Sequence, residues 1–264
     1  AYIGGKRQLA GRIVERIDAI AHETYVEPFV GMGGVFLRRT RAPKSEVIND
    51  ISREVATFFR VLQRHYEALM DHLKWKVTSR AEFERLMAQP ADTLTDIERA
   101  ARFLYLQRLA FGGKVAGRSF GVSLATPGRF DVTKLGVILD DLHQRLSGVI
   151  IECLRWEDVI VRYDAPGTLF YLDPPYFGSE GDYGAGVFAR SEFLSLAEAL
   201  RGIAGGFLLS INDRPEIREV FAGFDMEEVG LTYTINGAAQ QAARELIISN
   251  GPAAWHPPAR DLFV

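Results

Sequence analysis

The residues best suited to chemistry in this chain are consecutive: Asp173, Pro174, Pro175 and Tyr176, within the run LFYLDPPYFG (169–178). A stretch of β-forming residues leads into them, so the acid stands at the end of a strand. Proline fixes φ and removes the backbone donor. The turn is therefore rigid and cannot satisfy a nearby carbonyl from its own N–H groups. Asp173 and the Pro174 carbonyl become a fixed pair of acceptors, matched to the two N–H bonds of a planar amino group. Tyr176 adds a flat surface on which a heterocycle can stack. Together they form a receptor for an exocyclic amine on a base. A proline turn that only closes a strand would carry the same four residues.

A second candidate is FVGMGG (29–34), where glycines at a strand end let the chain turn tightly and let a ligand approach the main chain. The residues after it, GVFLRRT, read as the start of a helix, whose first N–H groups would be unpaired. The spacing is Gly-x-Gly-Gly, not the Gly-x-Gly-x-x-Gly of dinucleotide sites, and position 36 is Phe. Asp50 stands at the tip of the next predicted strand, where an acid accepts hydrogen bonds from ribose hydroxyls. A nucleoside-bearing ligand fits this pattern. So does a plain tight turn followed by an Asp that caps a helix at 53–64.

The elements that must position these residues follow from periodicity. Leu9, Ile13, Ile17 and Ile20 recur at helical spacing over 6–22. Strands are expected at 24–30 and 45–50, giving the strand, turn, helix, strand order of a parallel βαβ unit. From 52 to about 110 the pattern is helical. REVATFFRVLQRHYEALMDHLK reads as one long amphipathic helix, and SRAE (79–82) and TDIE (95–98) fit capping boxes. The glycine-rich basic run 112–130 reads as a loop or irregular hairpin, and strands return at 148–154, 167–173, 205–211 and 244–250, with a helix at 191–204. The fold class is α/β, with a catalytic sheet formed by 1–51 and 148–264 and a helical insertion at 52–147.

With 264 residues and 47% hydrophobic content, the chain can bury a substantial core. No apolar run reaches the ~20 residues of a membrane span, and the first residues read as folded sequence, not as a secretory leader. One cysteine excludes an internal disulfide framework, and five scattered histidines do not compose a metal site. The net charge is −3 but unevenly spread. Residues 99–135 carry seven Lys/Arg against one acid, whereas 151–264 carry eight against seventeen. A basic face of this kind suits a phosphate backbone, or is solvated surface.

Taken in order, these stretches resemble the Dam-type (D12 class) DNA adenine-N6 methyltransferases. YIGGK (2–6) resembles the family's N-terminal element, FVGMGGVFL (29–37) its methyl-donor loop, and IND (48–50) its second cofactor element. FLYLQRLAFGGK (103–114) is similar to the opening of its DNA-recognition region, and WEDV (156–159) and LDPPY (172–176) follow as in the family. The resemblance implies a Rossmann-like sheet that binds S-adenosylmethionine, with no metal. It implies that Tyr2 and Lys6 flank the methionine end and that Phe29, Gly31 and Gly33 line the donor loop. Asp50 would hold the ribose and Asp158 the adenine amino group, with Asp173 also facing the cofactor. Asp173 and the Pro174 carbonyl would accept both N6 hydrogens of a flipped adenine, with Pro175 completing the turn and Tyr176 stacking on the base.

For the DNA, the resemblance implies contacts from Lys114 and Arg118 and a wedge from Phe111 or Phe120. The run AFGGKVAGRSFG lacks the Tyr-Asn-Gly and Arg-Tyr-Asn of members that read GATC, which leaves the target sequence open. FGSEGDYGAGVF (177–188) reads as a flap, with Tyr183 or Phe188 closing on the base, or as a surface loop. Implied partners are double-stranded DNA and, in a restriction system, a cognate endonuclease; the implied location is a bacterial cytoplasm, the gene being bacterial or phage-borne. Competing readings are a methyltransferase for RNA or a protein side chain, an inactive DNA-binding relative, and, more distantly, a nicotinamide oxidoreductase.

Overall fold

The computed structural model describes residues 6–110, 118–121, 128, 130–178, 188–235 and 239–251, with side chains described from 9 to 230 and from 244 onward within that range. The first half of the chain gives α1 (Lys6–Ala19), β1 (Thr24–Glu27), β2 (Ser45–Asn49), α2 (Arg53–Arg64), α3 (Tyr66–Leu73), α4 (Arg80–Ala88), α5 (Asp96–Leu109) and α6 (Val132–Arg145). The second half gives β3 (Ile150–Glu152), α7 (Trp156–Tyr163), β4 (Thr168–Leu172), α8 (Glu192–Arg201), β5 (Gly206–Asn212), α9 (Pro215–Val220), β6 (Asp225–Ile235) and β7 (Ala239–Ser249). The chain divides into two compact units, 51–153 and 5–50 with 154–264.

The seven strands among the described residues run in the order β3-β2-β1-β4-β5-β7-β6. β1 pairs parallel with both β2 and β4, β4 pairs parallel with β5, and β7 runs antiparallel between β5 and β6. The first five positions repeat the 3-2-1-4-5 order of a Rossmann sheet. β4 and β5 are buried almost throughout, as strands covered on both faces must be. Leu9, Ile13, Ile17 and Ile20 of the α1 region are buried at the predicted spacing.

The crossover between β1 and β2 departs from the expected helix: it holds one short 3₁₀ turn, Phe36–Arg38. Arg39 turns inward instead of continuing a helix. Its guanidinium is buried, pairs with Glu46 at 2.8 Å and lies 3.7 Å from the centre of the Tyr25 ring. Pro43 follows four residues later, where a helix would lose a donor. A second departure is β6, a stretch for which the alternation signal is obscured by Glu227, Glu228 and Gly230. It occupies the sheet edge, where charges discourage further pairing.

In the 51–153 unit the expected long helix is two, α2 and α3, broken at His65 (φ −132°, ψ 38°). In a continuous helix the Leu62 carbonyl would accept from Tyr66; here His143 Nδ1 lies 2.9 Å from it, and the Tyr66 ring stacks on the His143 ring at 5.0 Å. The Thr95–Glu98 capping box is complete, with both reciprocal bonds. The Ser79–Glu82 box is half made: Ser79 Oγ accepts from the Glu82 N–H, but the Ser79 N–H goes to the Tyr105 hydroxyl at 3.2 Å. Glu82 turns instead to Arg85 and Lys76, each at 2.7 Å.

Those two cations hold the Glu82 carboxyl down from 4.5 to about 2 against the opposing effect of burial. A depressed acid stabilises the fold above its unfolded value and loses that contribution as it protonates. Glu82→Gln is therefore expected to destabilise the protein fully at pH 6. The difference should fade as pH falls from about 4.5 toward 2, which urea unfolding at stepped pH would measure.

Candidate active site

In a doubly wound sheet the chain leaves neighbouring strands toward opposite faces at one point, and a crevice opens there beyond the carboxyl ends. Here that point lies between β1 and β4. The glycine turn follows β1, Asp50 follows β2, and Asp173 follows β4. The motifs separated by more than a hundred residues thus share one edge of one unit.

The glycine turn is held by its neighbours. Gly31 and Gly33 have φ of 51° and 71°, in the left-handed region where a side chain costs about 1–2 kcal/mol. The Gly31 N–H donates to Asp50 Oδ2 at 3.0 Å, Gly33 N–H to Val30 O at 2.8 Å, and Val30 N–H to Asn49 O at 2.9 Å. Two expectations are corrected. No α-helix follows the turn to offer unpaired N–H groups, and the Gly31 and Gly33 amides are already engaged by Asp50 and Val30. Asp50 does not cap α2; Ser52 holds that position, and the Asp50 carboxylate points back to the glycine turn.

Asn49, whose role the sequence left unread beside Asp50, brackets this edge. Its side chain is buried and makes three hydrogen bonds: Nδ2 to Pro28 O at 2.8 Å and to Leu154 O at 3.1 Å, and Oδ1 from Leu154 N–H at 2.8 Å. It ties the end of β1 to the segment that leads into α7. A carboxamide at the end of an otherwise apolar strand was the available signal.

At the Pro-Pro turn, Asp173 and Tyr176 are half-buried and both prolines are buried. The Tyr176 hydroxyl donates to Oε1 of Glu245, a buried carboxylate on β7. Below the turn, the buried hydroxyls of Tyr171 and Ser210 are 2.8 Å apart. Burial pushes the Tyr171 phenol up from its ordinary value of 10, so it stays neutral. Phe177 packs on Phe193 at 5.5 Å, Phe193 on Phe188 at 4.9 Å, and Phe188 edge-on to Phe29 at 5.9 Å. One row of rings thus joins the segment after the turn to the glycine loop.

The remaining expected residues are placed as follows. Phe29 is half-buried in that row of rings, and Lys6 is the first residue of α1. Asp158 is exposed in the first turn of α7, while Val159 beside it is in the core. Phe188 is 3% exposed and belongs to the core, so it is no flap residue. In the 51–153 unit, Arg118 Nη2 donates to Gln107 Oε1 at 3.1 Å, and Phe120 packs edge-on to Phe83 at 5.5 Å beneath the Arg80 guanidinium. Tyr2, Phe111, Lys114 and Tyr183 lie outside the described residues.

The family model for D12 class N6 adenine-specific DNA methyltransferase matches residues 2–235. The chain belongs to that family. It is a DNA adenine-N6 methyltransferase, and the competing RNA, protein and oxidoreductase readings fall away. Curated relatives agree at low identity over nearly their whole length. A type II methyltransferase of Paramecium bursaria Chlorella virus NC1A is 23% identical over 84% of this chain and 85% of its own. One from Lactococcus lactis subsp. cremoris is 25% identical over 94% and 93%. The DNA adenine methylase of Salmonella typhi is 24% identical over 97% and 96%. Among solved structures, a precorrin 8W decarboxylase from Methanobacterium thermoautotrophicum matches at a TM-score of 0.41 and 11% identity over 92% of this chain and 89% of its own. Among the described residues of this methyltransferase, no group of three His, Cys, Asp or Glu could hold a metal, and no helix is long and apolar enough to cross a membrane.

The Asn49 bracket has a measurable consequence. Asn49→Leu strands the buried Pro28 carbonyl and both half-buried backbone groups of Leu154. Each buried group left unsatisfied costs about 1–3 kcal/mol. The variant is expected to lose roughly 3 kcal/mol in denaturant unfolding, and Asn49→Asp, which sets an oxygen against the Pro28 and Leu154 carbonyls in place of the donor, at least as much at pH 7.

Proposed function

We propose that the turn Asp173–Tyr176 is the methyl-acceptor site of this DNA adenine methyltransferase, and that the glycine turn with Asp50 is its S-adenosylmethionine site. The observation that carries the reading is their convergence at the reversal point of the sheet. The residues suit a nucleoside cofactor. Gly31 and Gly33 have no side chains to obstruct it, and Asp50 stands at the tip of the second strand, where a ribose is held in nucleotide-binding sheets. Tyr2 and Lys6 serve the methionine end, Phe29 lines the loop, and Asp158 meets the adenine amino group. S-adenosylmethionine, when bound, supplies a sulfonium methyl group that leaves with its bonding electrons returned to sulfur.

The chain's own residues prepare the nitrogen. Adenine N6 is a weak nucleophile because its lone pair is delocalised into the ring. Asp173 and the Pro174 carbonyl accept its two hydrogens, draw it toward tetrahedral geometry and so localise the lone pair. They also stabilise the positive charge that grows on N6 as the new C–N bond forms, and one of the two hydrogens then leaves as a proton. Tyr176 holds the flipped base by stacking, which offsets part of the few kcal/mol needed to unstack it from the duplex. Positioning and electrostatics suffice, with no covalent intermediate.

Residues 52–147 form the DNA-reading insertion, with Phe111, Lys114, Arg118 and Phe120 as its contacts. Arg118 and Phe120 must exchange their Gln107 and Phe83 partners to reach DNA. The protein works in the cytoplasm of a bacterial host, and the type II names of two relatives support a cognate restriction endonuclease as its counterpart.

The test is transfer of a labelled methyl group from S-adenosylmethionine to unmethylated duplex DNA, with nucleosides identified by mass spectrometry. N6-methyladenine is expected from the wild type. Asp173→Ala is expected to lose activity by at least roughly a hundredfold, as removal of one charge-stabilising acceptor does. Asp50→Ala is expected to weaken cofactor binding by roughly tenfold or more, a charge-assisted hydrogen bond's worth. Full activity in Asp173→Ala would remove the assignment.

A further inference from the structure

The Pro-Pro turn poses a mechanical problem. Neither Pro174 nor Pro175 has an N–H, so the segment that must hold two acceptors in register lacks two backbone anchors. The next two residues are anchored by side chains from the neighbouring strands. Asn212, the last residue of β5, grips the backbone of Phe177 on both sides: its Oδ1 accepts from the Phe177 N–H at 2.9 Å, and its Nδ2 donates to the Phe177 carbonyl at 3.0 Å. Glu245, 1% exposed on β7, accepts the Tyr176 hydroxyl. Asn212 and Glu245 are direct cross-strand partners in the β5–β7 ladder. Beyond them the Asp213 N–H continues the ladder to the Arg244 carbonyl at 3.0 Å, so the pair sits on regular sheet.

We propose that Asn212 and Glu245 are positioning residues for methyl transfer: a cross-strand pair that fixes the Phe177 backbone and the Tyr176 ring, and thereby the placement of the Asp173 and Pro174 acceptors. The inference rests on the assignment of Asp173–Tyr176 as the acceptor turn. Neither residue touches the base or the cofactor; both act through the turn. A carboxamide suits position 212 because its donor and acceptor imitate a peptide unit and add one rung where the ladder can no longer supply it. A carboxylate suits position 245 because a charged acceptor makes a stronger bond to a phenol than a neutral one. Phe177 is held on its side chain as well, by Phe193 at 5.5 Å and by the Arg190 guanidinium 4.4 Å from its ring centre.

The test measures kcat, KM for DNA and cofactor affinity for the full chain carrying Asn212→Ala, Glu245→Leu, Glu245→Gln, Tyr176→Phe and the Tyr176→Phe/Glu245→Leu double change, with Asp173→Ala alongside. A displaced acceptor pair costs roughly 10- to 100-fold in rate. Asn212→Ala is expected to lower kcat by that factor while cofactor affinity stays within about twofold. Glu245→Gln, which keeps an acceptor oxygen for Tyr176, is expected to retain kcat within about threefold of wild type, whereas Glu245→Leu is not. Tyr176→Phe and Glu245→Leu should be non-additive, the double variant no worse than the slower single one. Unchanged kcat in Asn212→Ala and Tyr176→Phe, with Asp173→Ala inactive, would overturn the clamp and leave the acceptor turn standing. So would additive losses in the double variant. An active Asp173→Ala would instead overturn the assignment on which the clamp rests. Should Glu245→Leu fail to fold, Asn212→Ala and the Tyr176→Phe and Glu245→Gln pair still decide the question.

Discussion

The reversal of strand order between β1 and β4 is the constraint on which the site depends. Parallel neighbours need long crossovers, and where two of these leave toward opposite faces, no connection covers the carboxyl edge. The opening is a consequence of topology and requires no special residue. At its rim stand the groups proposed for the chemistry: the left-handed glycine turn after β1, the Asp50 carboxylate after β2, and the Asp-Pro-Pro-Tyr turn after β4. The glycine turn and the Asp-Pro-Pro-Tyr turn are held from the side. Asp50 holds the glycine turn, Asn49 holds the end of β1, and Glu245 holds Tyr176.

The supports share a physical logic. A strand that ends at a ligand site leaves backbone groups without ladder partners, and a buried group without a partner is costly. Glycine and proline turns aggravate the shortage, the first by loosening the chain and the second by removing donors. Asn49 and Asn212 answer it in the same way, each offering a donor and an acceptor to a backbone segment that has left the sheet. The aromatic row Phe29–Phe188–Phe193–Phe177 adds the apolar counterpart beneath the rim. On the proposed assignment the methyltransferase site is built on strand ends, with only short turns carrying the reacting groups.

Local signals were readable where one residue type dictates one geometry. The Thr95–Glu98 box, the α1 stripe of Leu9, Ile13 and Ile17, and the strand entering Asp173 all formed as their patterns required. Signals failed where a distant partner intervened. His143 takes the Leu62 carbonyl and breaks a helix that has neither Gly nor Pro at the break. Glu46 and Tyr25 draw Arg39 inward, and the expected crossover helix shrinks to a single turn. Tyr105 takes the Ser79 amide, and Glu82 is released to Lys76 and Arg85. Charges on the β6 edge hid a strand whose pairing with β7 defines it.

The sequence by itself determined the chemistry-bearing turns, their order and the family, because glycine, proline and a strand-end acid act through short-range geometry that no neighbour has to supply. It also carried Asn49, Asn212 and Glu245 in plain view, as polar residues in apolar strands, without saying what they bind. Only the tertiary structure decided that, since a carboxamide's partners at positions 28, 154 and 177 are set by which strands become adjacent. The same holds for Phe188, which leaves the predicted flap for the core because Phe29 and Phe193 flank it there. Short-range conformation is written residue by residue; the pairing of buried polar groups is a property of the assembled sheet.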